Sequence, residues 1–291
     1  MNIVKKLREL KEALDEVRTK GVSVGFVPTM GSLHEGHLSL IRQAKQNTQY
    51  VVASIFVNPT QFGESRDYEM YPHTYEKDEQ LLRNAGTDLL FYPDLQEIYP
   101  GMSSGSGSYK DEDANYTFGP LEQIMEGEFR KGHFQGVAQV VAKLLRATEP
   151  CTLFLGQKDY QQYLIIKSLI DQISVTVEVE LCPIIREENG LAMSSRNVLL
   201  TEKERAEAGK IHEILKNLER KFGMGNPGEA SKLALEKLEL IPSIKNVEYV
   251  EIVNANNLQR IDEWNEADKI IACIAVRIGE VRLIDNVILV S

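Results

Sequence analysis

The sequence lacks several features that mark specialised classes of protein. It has only three cysteines among 291 residues, Cys151, Cys182 and Cys273. Because they are odd in number and widely separated, we expect no disulfide framework and a reducing, cytoplasmic environment. No apolar run approaches the length that spans a membrane, and residues 1–20 are charged and spaced like a helix, unlike a signal peptide. We therefore expect a soluble intracellular protein.

The sequence also lacks a basic patch and two common phosphate-binding motifs. Its 43 acidic and 33 basic residues give a formal net charge of −10. Without an arginine-rich run, nucleic acid is not the expected main partner. No Gly-x-Gly-x-x-Gly follows the first predicted strand, and residues 127–133 have the glycine spacing of a P-loop without its Gly-Lys-Ser/Thr ending. The missing glycine motif counts against an NAD-type Rossmann enzyme, and the missing Gly-Lys-Ser/Thr ending counts against a P-loop.

The most informative segment that is present contains His34 and His37. An apolar run, Val22–Val27, precedes it and predicts a buried strand, whereas an amphipathic run, Leu38–Ala44, follows it and predicts a helix. Open parallel sheets bind ligands at such strand-to-helix turns. A spacing of three residues places both imidazoles on one side of the first helical turn.

The composition of this turn favours an anion. Gly31 and Gly36 let a ligand approach the backbone closely. Exposed N–H groups and the positive end of the helix dipole attract negative charge, and two imidazoles can donate hydrogen bonds to charge that develops in a transition state. The segment therefore suits chemistry at the α-phosphate of a nucleotide. Two alternatives stay open: half of a metal site, although no Cys or third His lies nearby, and a structural histidine pair.

The segment Val27–His37 resembles the nucleotide signature of the pantoate–β-alanine ligase family. That family belongs to the His-x-Gly-His nucleotidyltransferases, which are relatives of the class I aminoacyl-tRNA synthetase core. Further segments match it in the expected order: Ser54–Phe62, Gly132–Val137, Phe154–Gln162, Gly190–Asn197 and Arg282–Asn286. Several ordered motifs that span most of the chain are far more specific than one.

The resemblance implies an activity and a set of site residues. The activity is the ATP-dependent condensation of (R)-pantoate with β-alanine to pantothenate, AMP and pyrophosphate through a pantoyl adenylate, with Mg²⁺ on the ATP and a homodimeric enzyme. The implied catalytic residues are His34, His37, Lys158, Ser194, Ser195 and Arg196. The implied ATP-binding residues are these six with Met30, Gly31, Ser32, Leu33, Glu35, Gly36, Gly156, Gln157, Asp159, Ile185 and Met193. The resemblance implies that Gln61 and Gln162 bind substrate, and Asn58, Arg130 and His133 are further candidates for the same site.

A second strand-to-helix junction is predicted at Gly156–Asp159, after the apolar run Thr152–Leu155. Lys158 could neutralise a phosphate or a carboxylate there, and Asp159 stands where a ribose partner or a helix cap would. A surface lysine beside an ordinary Asp cap is the simpler interpretation of these four residues alone. The family usually has Glu at position 157, so Gln157 keeps the hydrogen-bonding shape and loses a charge.

Two other polar segments have a functional and a structural interpretation. Met193–Arg196 supplies two hydroxyls and a guanidinium whose planar fork suits a phosphate, although most hydroxyl-rich loops are hydrogen-bonded linkers. Its position between two predicted domains makes it a candidate lid over the β- and γ-phosphates. The amides of Asn58 and Gln61 suit a small polyol acid, whereas Asn58-Pro59 is also a strong turn signal.

Strands that alternate with helices predict an α/β fold: a Rossmann-like, doubly wound parallel sheet over residues 1–184, followed by a smaller α+β lid domain over residues 185–291. Apolar residues from Ile3 onward predict an N-terminal helix, Glu202–Lys221 predicts one long helix, and Gly279-Glu280 predicts a hairpin turn. The segment Pro100–Ser108, rich in Gly and Ser, predicts a mobile surface loop.

Two rival functions stay open at this stage. One is a different nucleotidyltransferase with the same His-x-Gly-His core, acting on another small acid or phosphoester. The other is a catalytically silent nucleotide-binding module, although the presence of all the polar motifs together argues against it. Mg²⁺ would keep most of its ligands from ATP and water, and the sequence does not reveal a protein ligand for it.

Overall fold

The computed structural model describes residues 1–62, 68–69, 71–102 and 115–290. The chain forms two compact units. The first unit is Met1–Gly156 with Gln162–Cys182, and the second is Gln157–Gln161 with Pro183–Ser291. Residues 103–108 of the expected Gly/Ser-rich loop lie outside the described residues. The domain boundary at 184–185 and the lid role of residues 185–291 stay predictions.

The first unit is built on one sheet of six parallel strands. The strands are β1 Asn2–Val4, β2 Val24–Thr29, β3 Tyr50–Ile55, β4 Leu89–Phe91, β5 Cys151–Gly156 and β6 Val177–Cys182. Their order across the sheet is β1-β4-β3-β2-β5-β6, so the chain winds outward from β2 in both directions. This confirms the predicted α/β class.

Helices connect these strands, as parallel pairing requires. They are α1 Leu7–Arg18, α2 Glu35–Asn47, α3 Tyr75–Ala85, α4 Leu95–Ile98, α5 Glu126–Phe129, α6 His133–Thr148 and α7 Tyr160–Ile173. Short 3-10 turns lie at Pro59–Gln61, Gly119–Glu122 and Gln157–Asp159. The helix α3 ends at Gly86, whose φ of 89° is left-handed and suits glycine.

The sheet of the first unit has a hydrophobic cluster on each face. Phe26 packs in one cluster with residues of α1, α6 and α7, and the next residue, Val27, packs in the other with residues of α2. Leu153 and Phe154 divide in the same way, because successive side chains of a strand point to opposite faces. Because helices cover both faces of these strands, the strands are continuous apolar runs in the sequence. Such runs are what predicted the strands.

The second unit combines three antiparallel strands with three helices. The strands are β7 Ile244–Asn254, β8 Ile270–Ile278 and β9 Val281–Val290, in the order β7-β8-β9. The helices are α8 Glu202–Ala208, α9 Lys210–Arg220 and α10 Pro227–Glu239, and a 3-10 turn spans Ser195–Leu199. Leu215 of α9 and Leu238 of α10 join Ile274 and Val276 of β8 in one buried cluster. The smaller α+β fold is therefore confirmed.

Three local predictions can be compared with these elements. The hairpin turn at Gly279-Glu280 is confirmed, because Ile278 pairs with Val281 and Gly279 has a φ of 56°. The N-terminal helix prediction is wrong at its start, since Ile3 lies in β1 and pairs with β4. The single helix over 202–221 is also wrong: it is interrupted at Gly209, where an added Cβ would overlap the carbonyl oxygen of Asn189.

Candidate active site

The two motif histidines lie at the start of α2, at the strand-to-helix turn that the sequence predicts. His34 is the N-cap residue, and its Nδ1 accepts a hydrogen bond from the Gly36 N–H at 3.1 Å. The Nδ1 of His37 accepts from the His34 N–H at 3.3 Å, and the two ring centroids lie 4.0 Å apart. A neutral imidazole whose Nδ1 accepts carries its hydrogen on Nε2. Both rings are therefore fixed as Nε2–H donors.

The turn that precedes His34 adopts an unusual backbone. Gly31 has a φ of 81° and Ser32 a φ of 50°, so two successive residues are left-handed. This region costs a non-glycine residue roughly 1–2 kcal/mol. The cost is offset by Asp78 of α3: its two carboxylate oxygens accept the N–H groups of Ser32 and Leu33, each at 2.8 Å.

Asp78 is a site residue that the sequence reasoning missed. Its side chain is almost completely buried, at 1% exposure. It occupies the same face of α3 as Tyr75 and Leu82, at a position where the helical spacing calls for an apolar residue. A charged residue inside an apolar stripe was the signal that could have revealed it, because buried carboxylates need partners.

The structure corrects one part of the anion-site prediction. The N–H groups of Ser32 and Leu33 donate to Asp78, and that of Gly36 donates to His34. These amides are therefore engaged inside the chain instead of being exposed to a ligand. The Nε2–H groups of the two imidazoles are donors through which the turn can still bind an anion.

Asn58 and Gln61 follow β3 and flank a 3-10 turn. Asn58 is 1% exposed, and its Nδ2 donates to Gln61 Oε1 at 3.1 Å and to the Gly136 carbonyl at 2.9 Å. Its Oδ1 accepts from the Tyr99 hydroxyl at 2.9 Å. The amide of Gln61 in turn donates to Met30 Sδ at 2.9 Å. Asn58 thus positions Gln61, while its predicted direct contact with substrate stays a prediction.

His133 contacts the 3-10 turn that carries Gln61, and Arg130 contacts His133. The Nδ1 of His133 is 3.0 Å from the Gln61 carbonyl oxygen, and its Nε2 is 3.0 Å from an Arg130 guanidinium nitrogen. Because the carbonyl can only accept and the guanidinium can only donate, Nδ1 carries the hydrogen and the ring is neutral. Gly136 of α6 allows this packing, since an added Cβ there would overlap the Thr60 carbonyl. The structure therefore brings Arg130, His133 and Gln61 into one network.

In the second unit, Asn286 of β9 holds the turn that carries Lys158. Its Nδ2 donates to the carbonyl oxygens of Gln157 at 2.9 Å and Lys158 at 3.0 Å, and its Oδ1 accepts from Gln157 Nε2 at 3.1 Å. Lys158 Nζ lies 3.1 Å from Asp159 Oδ1. Gln157 therefore uses its amide to donate within this turn.

Asn286 is itself fixed by a buried ion pair. Arg186 contacts both carboxylate oxygens of Asp285, at 2.6 and 2.9 Å, and Asp285 accepts the Asn286 N–H at 2.8 Å. Burial raises the pKa of Asp285 from its ordinary value, while the hydrogen bonds from Arg186 oppose that shift. A bidentate contact fixes both position and orientation. The Arg186–Asp285 pair therefore anchors the strand end that carries Asn286.

The hydroxyl-rich segment of the second unit is a capped 3-10 turn. Ser194 Oγ accepts from the Arg196 N–H at 3.3 Å, and the Met193 N–H donates to the Ile185 carbonyl at 2.9 Å. Asn197 is buried and donates to the Ala192 carbonyl at 3.1 Å. These bonds fix the backbone from which Ser195 and Arg196 project.

The structure thus distributes the predicted site residues between the two units. The first unit brings together Met30, Asn58, Gln61, Arg130 and His133 and carries the turn Gly31–His37; Gly156 ends β5 and Gln162 lies in α7. The second unit holds Gln157–Asp159, Ile185 and Met193–Arg196. Among the described residues, no group of three or more His, Cys, Asp or Glu side chains is arranged to hold a metal ion. No helix in that part of the chain is long and apolar enough to cross a membrane.

Comparison with known families settles the relationship. The family model described as pantoate-beta-alanine ligase matches residues 2–288. The chain belongs to the pantoate–β-alanine ligase family. The match extends over both units.

Individual members of the family are similar along their whole length. The pantothenate synthetase of Porphyromonas gingivalis strain ATCC 33277 is 43% identical over 287 residues, 99% of each chain. That of Bacteroides fragilis strain ATCC 25285 is 38% identical over 99% of this chain and 98% of its own.

Solved structures of pantothenate synthetases are similar to this chain in fold as well as in sequence. The crystal structure of pantothenate synthetase from Thermus thermophilus matches with a TM-score of 0.89 and 40% identity over all of both chains. A pantoate-beta-alanine ligase from Francisella tularensis, complexed with beta-gamma ATP and beta-alanine, matches with a TM-score of 0.78 and 35% identity over 99% of this chain and 98% of its own.

Proposed function

We propose that the chain joins (R)-pantoate to β-alanine at the expense of ATP, giving pantothenate, AMP and pyrophosphate. The observation that carries the proposal is the histidine pair, in which His34 and His37 each accept a backbone N–H at Nδ1 and so carry hydrogen at Nε2. Two fixed donors at a strand-to-helix turn suit a reaction in which charge grows on phosphoryl oxygens. Membership of the pantoate–β-alanine ligase family supports the assignment.

The first step is adenylation of pantoate. A carboxylate oxygen of pantoate attacks the α-phosphorus of ATP. The bond from that phosphorus to the oxygen between the α- and β-phosphates breaks, and pyrophosphate leaves. His34 and His37 donate from Nε2 to the α-phosphoryl oxygens as negative charge builds up. Gln61, held by Asn58 and by the His133 contact to its carbonyl, presents its amide to pantoate. Fixed orientation matters here, because positioning replaces any covalent help from the enzyme.

The second step transfers the pantoyl group. The amine of β-alanine attacks the carbonyl carbon of pantoyl adenylate, the carbon–oxygen bond to AMP breaks, and the amine loses its proton as the amide forms. The imidazoles that stabilised charge on the α-phosphate also stabilise the leaving AMP. Gln61, Gln162, Arg130 and His133 are the residues that we assign to the pantoate and β-alanine sites.

Residues of the second unit are assigned to ATP. Lys158, Ser195 and Arg196 bind its phosphate groups, and Ser194 caps the turn from which Arg196 projects. Asn286 fixes the backbone of Lys158, and the Lys158 ammonium lies 3.1 Å from Asp159 Oδ1, so both ends of this residue are in contact with the turn. An arginine fork and a lysine point charge are complementary phosphate ligands.

Three further assignments complete the proposal. Mg²⁺ is assigned to the ATP phosphates and water for most of its ligands, and its contribution would be neutralisation of phosphate charge. The enzyme is assigned as a homodimer. It is assigned to the cytoplasm, in keeping with its three free cysteines.

The experiment that tests the proposed function is a product analysis. The purified chain is incubated with ATP, Mg²⁺, (R)-pantoate and β-alanine, and AMP and pantothenate are measured together. We expect equal amounts of the two products, and none when pantoate is omitted. AMP formation with another acid but not with pantoate would identify a different nucleotidyltransferase, and no AMP with any acid would indicate a silent nucleotide-binding module.

A further inference from the structure

The carboxylate of Asp78 accepts two successive backbone N–H groups of the histidine turn. Successive N–H groups in a turn with left-handed residues form a concave nest that binds negative groups. Here the nest is formed by Ser32 and Leu33, and each of their N–H groups lies 2.8 Å from a different oxygen of Asp78. Thr74 adds a third hydrogen bond, from its hydroxyl to Asp78 Oδ2 at 3.0 Å.

We propose that Asp78 is a positioning residue for adenylation: from α3, it holds the turn that aims His34 and His37 at the α-phosphate. The inference rests on the proposed function, because it assigns Asp78 a role in that reaction. Asp78 acts through the backbone of Ser32 and Leu33, which leads directly into the His34 cap.

The path from Asp78 to the imidazoles is short and continuous. Leu33 is buried at 5% exposure, and the next residue, His34, caps α2. The His34 ring accepts the Gly36 N–H, and the His37 ring accepts the N–H of His34 itself. A shift of the nest therefore moves the cap and, with it, both Nε2 donors. Misplacement of about 1 Å in such a site can cost roughly 100-fold in rate.

The nest requires a carboxylate and not merely a polar side chain. Two N–H groups point at two separate oxygens, and both oxygens must accept. An asparagine at position 78 offers one accepting oxygen, and its NH₂ group would face the other backbone N–H. The space is also closely defined, because the Cβ position of Gly31 would lie 3.1 Å from Asp78 Oδ2 and 3.2 Å from Ile55 Cγ2.

The test compares Asp78→Asn with a matched control, Asp88→Asn. Asp88 also accepts a backbone N–H, that of Val51 at 2.8 Å, and a contact from Lys45 Nζ at 2.8 Å. It precedes β4 and contacts the start of β3, at the opposite end of the strands from the histidine turn. Both variants replace a carboxylate that accepts a backbone N–H by an amide, but only Asp78 uses both of its oxygens for backbone N–H groups and is joined to the histidine turn.

The readout separates positioning from stability. We measure kcat and KM for ATP and pantoate in the pyrophosphate exchange reaction, together with the thermal unfolding midpoint. Asp78→Asn should lower kcat by about 10- to 100-fold, the range expected for a displaced donor pair, while both KM values stay within about threefold. Asp88→Asn should lower the unfolding midpoint and leave kcat at the wild-type value.

Two results would overturn the inference: a folded Asp78→Asn protein with wild-type kcat, or an equal loss of kcat in both variants. If Asp78→Asn does not fold, Thr74→Val provides the test, because it removes only the third hydrogen bond to the carboxylate. Its kcat should fall by about threefold with unchanged KM values, and an unchanged kcat would contradict the role of Asp78. An inactive wild-type chain would contradict the proposed function itself, whereas an active wild type with unaffected variants would contradict only this inference.

Discussion

Asn286 holds the backbone of Lys158, donating from its Nδ2 to the Lys158 carbonyl oxygen at 3.0 Å. The two residues lie in one compact unit, although they are far apart in the chain. The same NH₂ group also donates to the Gln157 carbonyl. A side chain on the last strand therefore sets the conformation of a turn that we assign to ATP phosphates.

Removal of this contact should affect the reaction more than the fold. Asn286→Ala removes the side-chain donor to two half-buried carbonyls, to which water can donate instead, and frees the turn around Lys158. We expect the KM for ATP in pyrophosphate exchange to rise by about tenfold. The control is Asn226→Ala, which removes the cap of α10 in the same unit and should cost about 1 kcal/mol of stability without changing that KM. Equal effects of the two variants would show that Asn286 is only structural.

The two imidazoles should contribute to turnover and little to folding. His37→Ala and His34→Ala each remove one transition-state donor, so kcat should fall by about 100- to 1,000-fold. His34→Ala should also lower the unfolding midpoint slightly, since His34 caps α2. Steady-state kinetics and thermal unfolding give both quantities. His73→Ala, at an exposed histidine, is the control; wild-type kcat in a folded His37→Ala protein would refute the role of the pair.

Arg196 should act through the shape of its guanidinium as well as its charge. Arg196→Lys keeps the charge and loses the planar fork. We expect about a tenfold loss of kcat/KM for ATP, equivalent to about 1.4 kcal/mol, with an unchanged unfolding midpoint. The matched variant is Arg8→Lys, in an exposed ion pair with Glu12, which should leave both quantities as they are. An Arg196→Lys enzyme with wild-type kcat/KM would mean that any cation suffices at this position.

His212 should make the second unit less stable in acid. Burial, helped by the positive charges of Arg186 and Lys216, lowers its pKa from 6.5 to about 4. The folded state therefore favours the neutral ring, and its contribution to stability is fully present above pH 6.5 and declines as the pH falls from 6.5 towards 4. His212→Gln should reduce the difference between the unfolding midpoints at about pH 7 and about pH 4.5. An identical difference in the variant and the wild type would contradict this assignment.

The sequence predicted the histidine turn because both of its flanks carry a readable period: a continuous apolar run in β2 and an amphipathic run in α2. It did not reveal Asp78, because the acceptor for the Ser32 and Leu33 N–H groups comes from a helix 45 residues further along the chain. A local pattern contains no information about such a partner. Only the misplaced charge in the apolar stripe of α3 hinted at it.

The other errors have physical causes of the same kind. A strand as short as β1 is too brief to show alternation, and Ile3 happens to continue the helical spacing of α1. The interruption at Gly209 depends on the approach of the Asn189 carbonyl, which only the folded chain creates. Local periodicity thus predicted most elements, whereas their ends and partners depended on distant residues.

The central claim, adenylation of pantoate before any amine reacts, is tested most directly by pyrophosphate exchange. The enzyme is incubated with ATP, Mg²⁺, labelled pyrophosphate and (R)-pantoate in the absence of β-alanine, and label in ATP is followed with time. The two-step scheme predicts label in ATP that depends on pantoate and is lost in His37→Ala. Exchange that appears only when β-alanine is added, or that proceeds equally without pantoate, would contradict it.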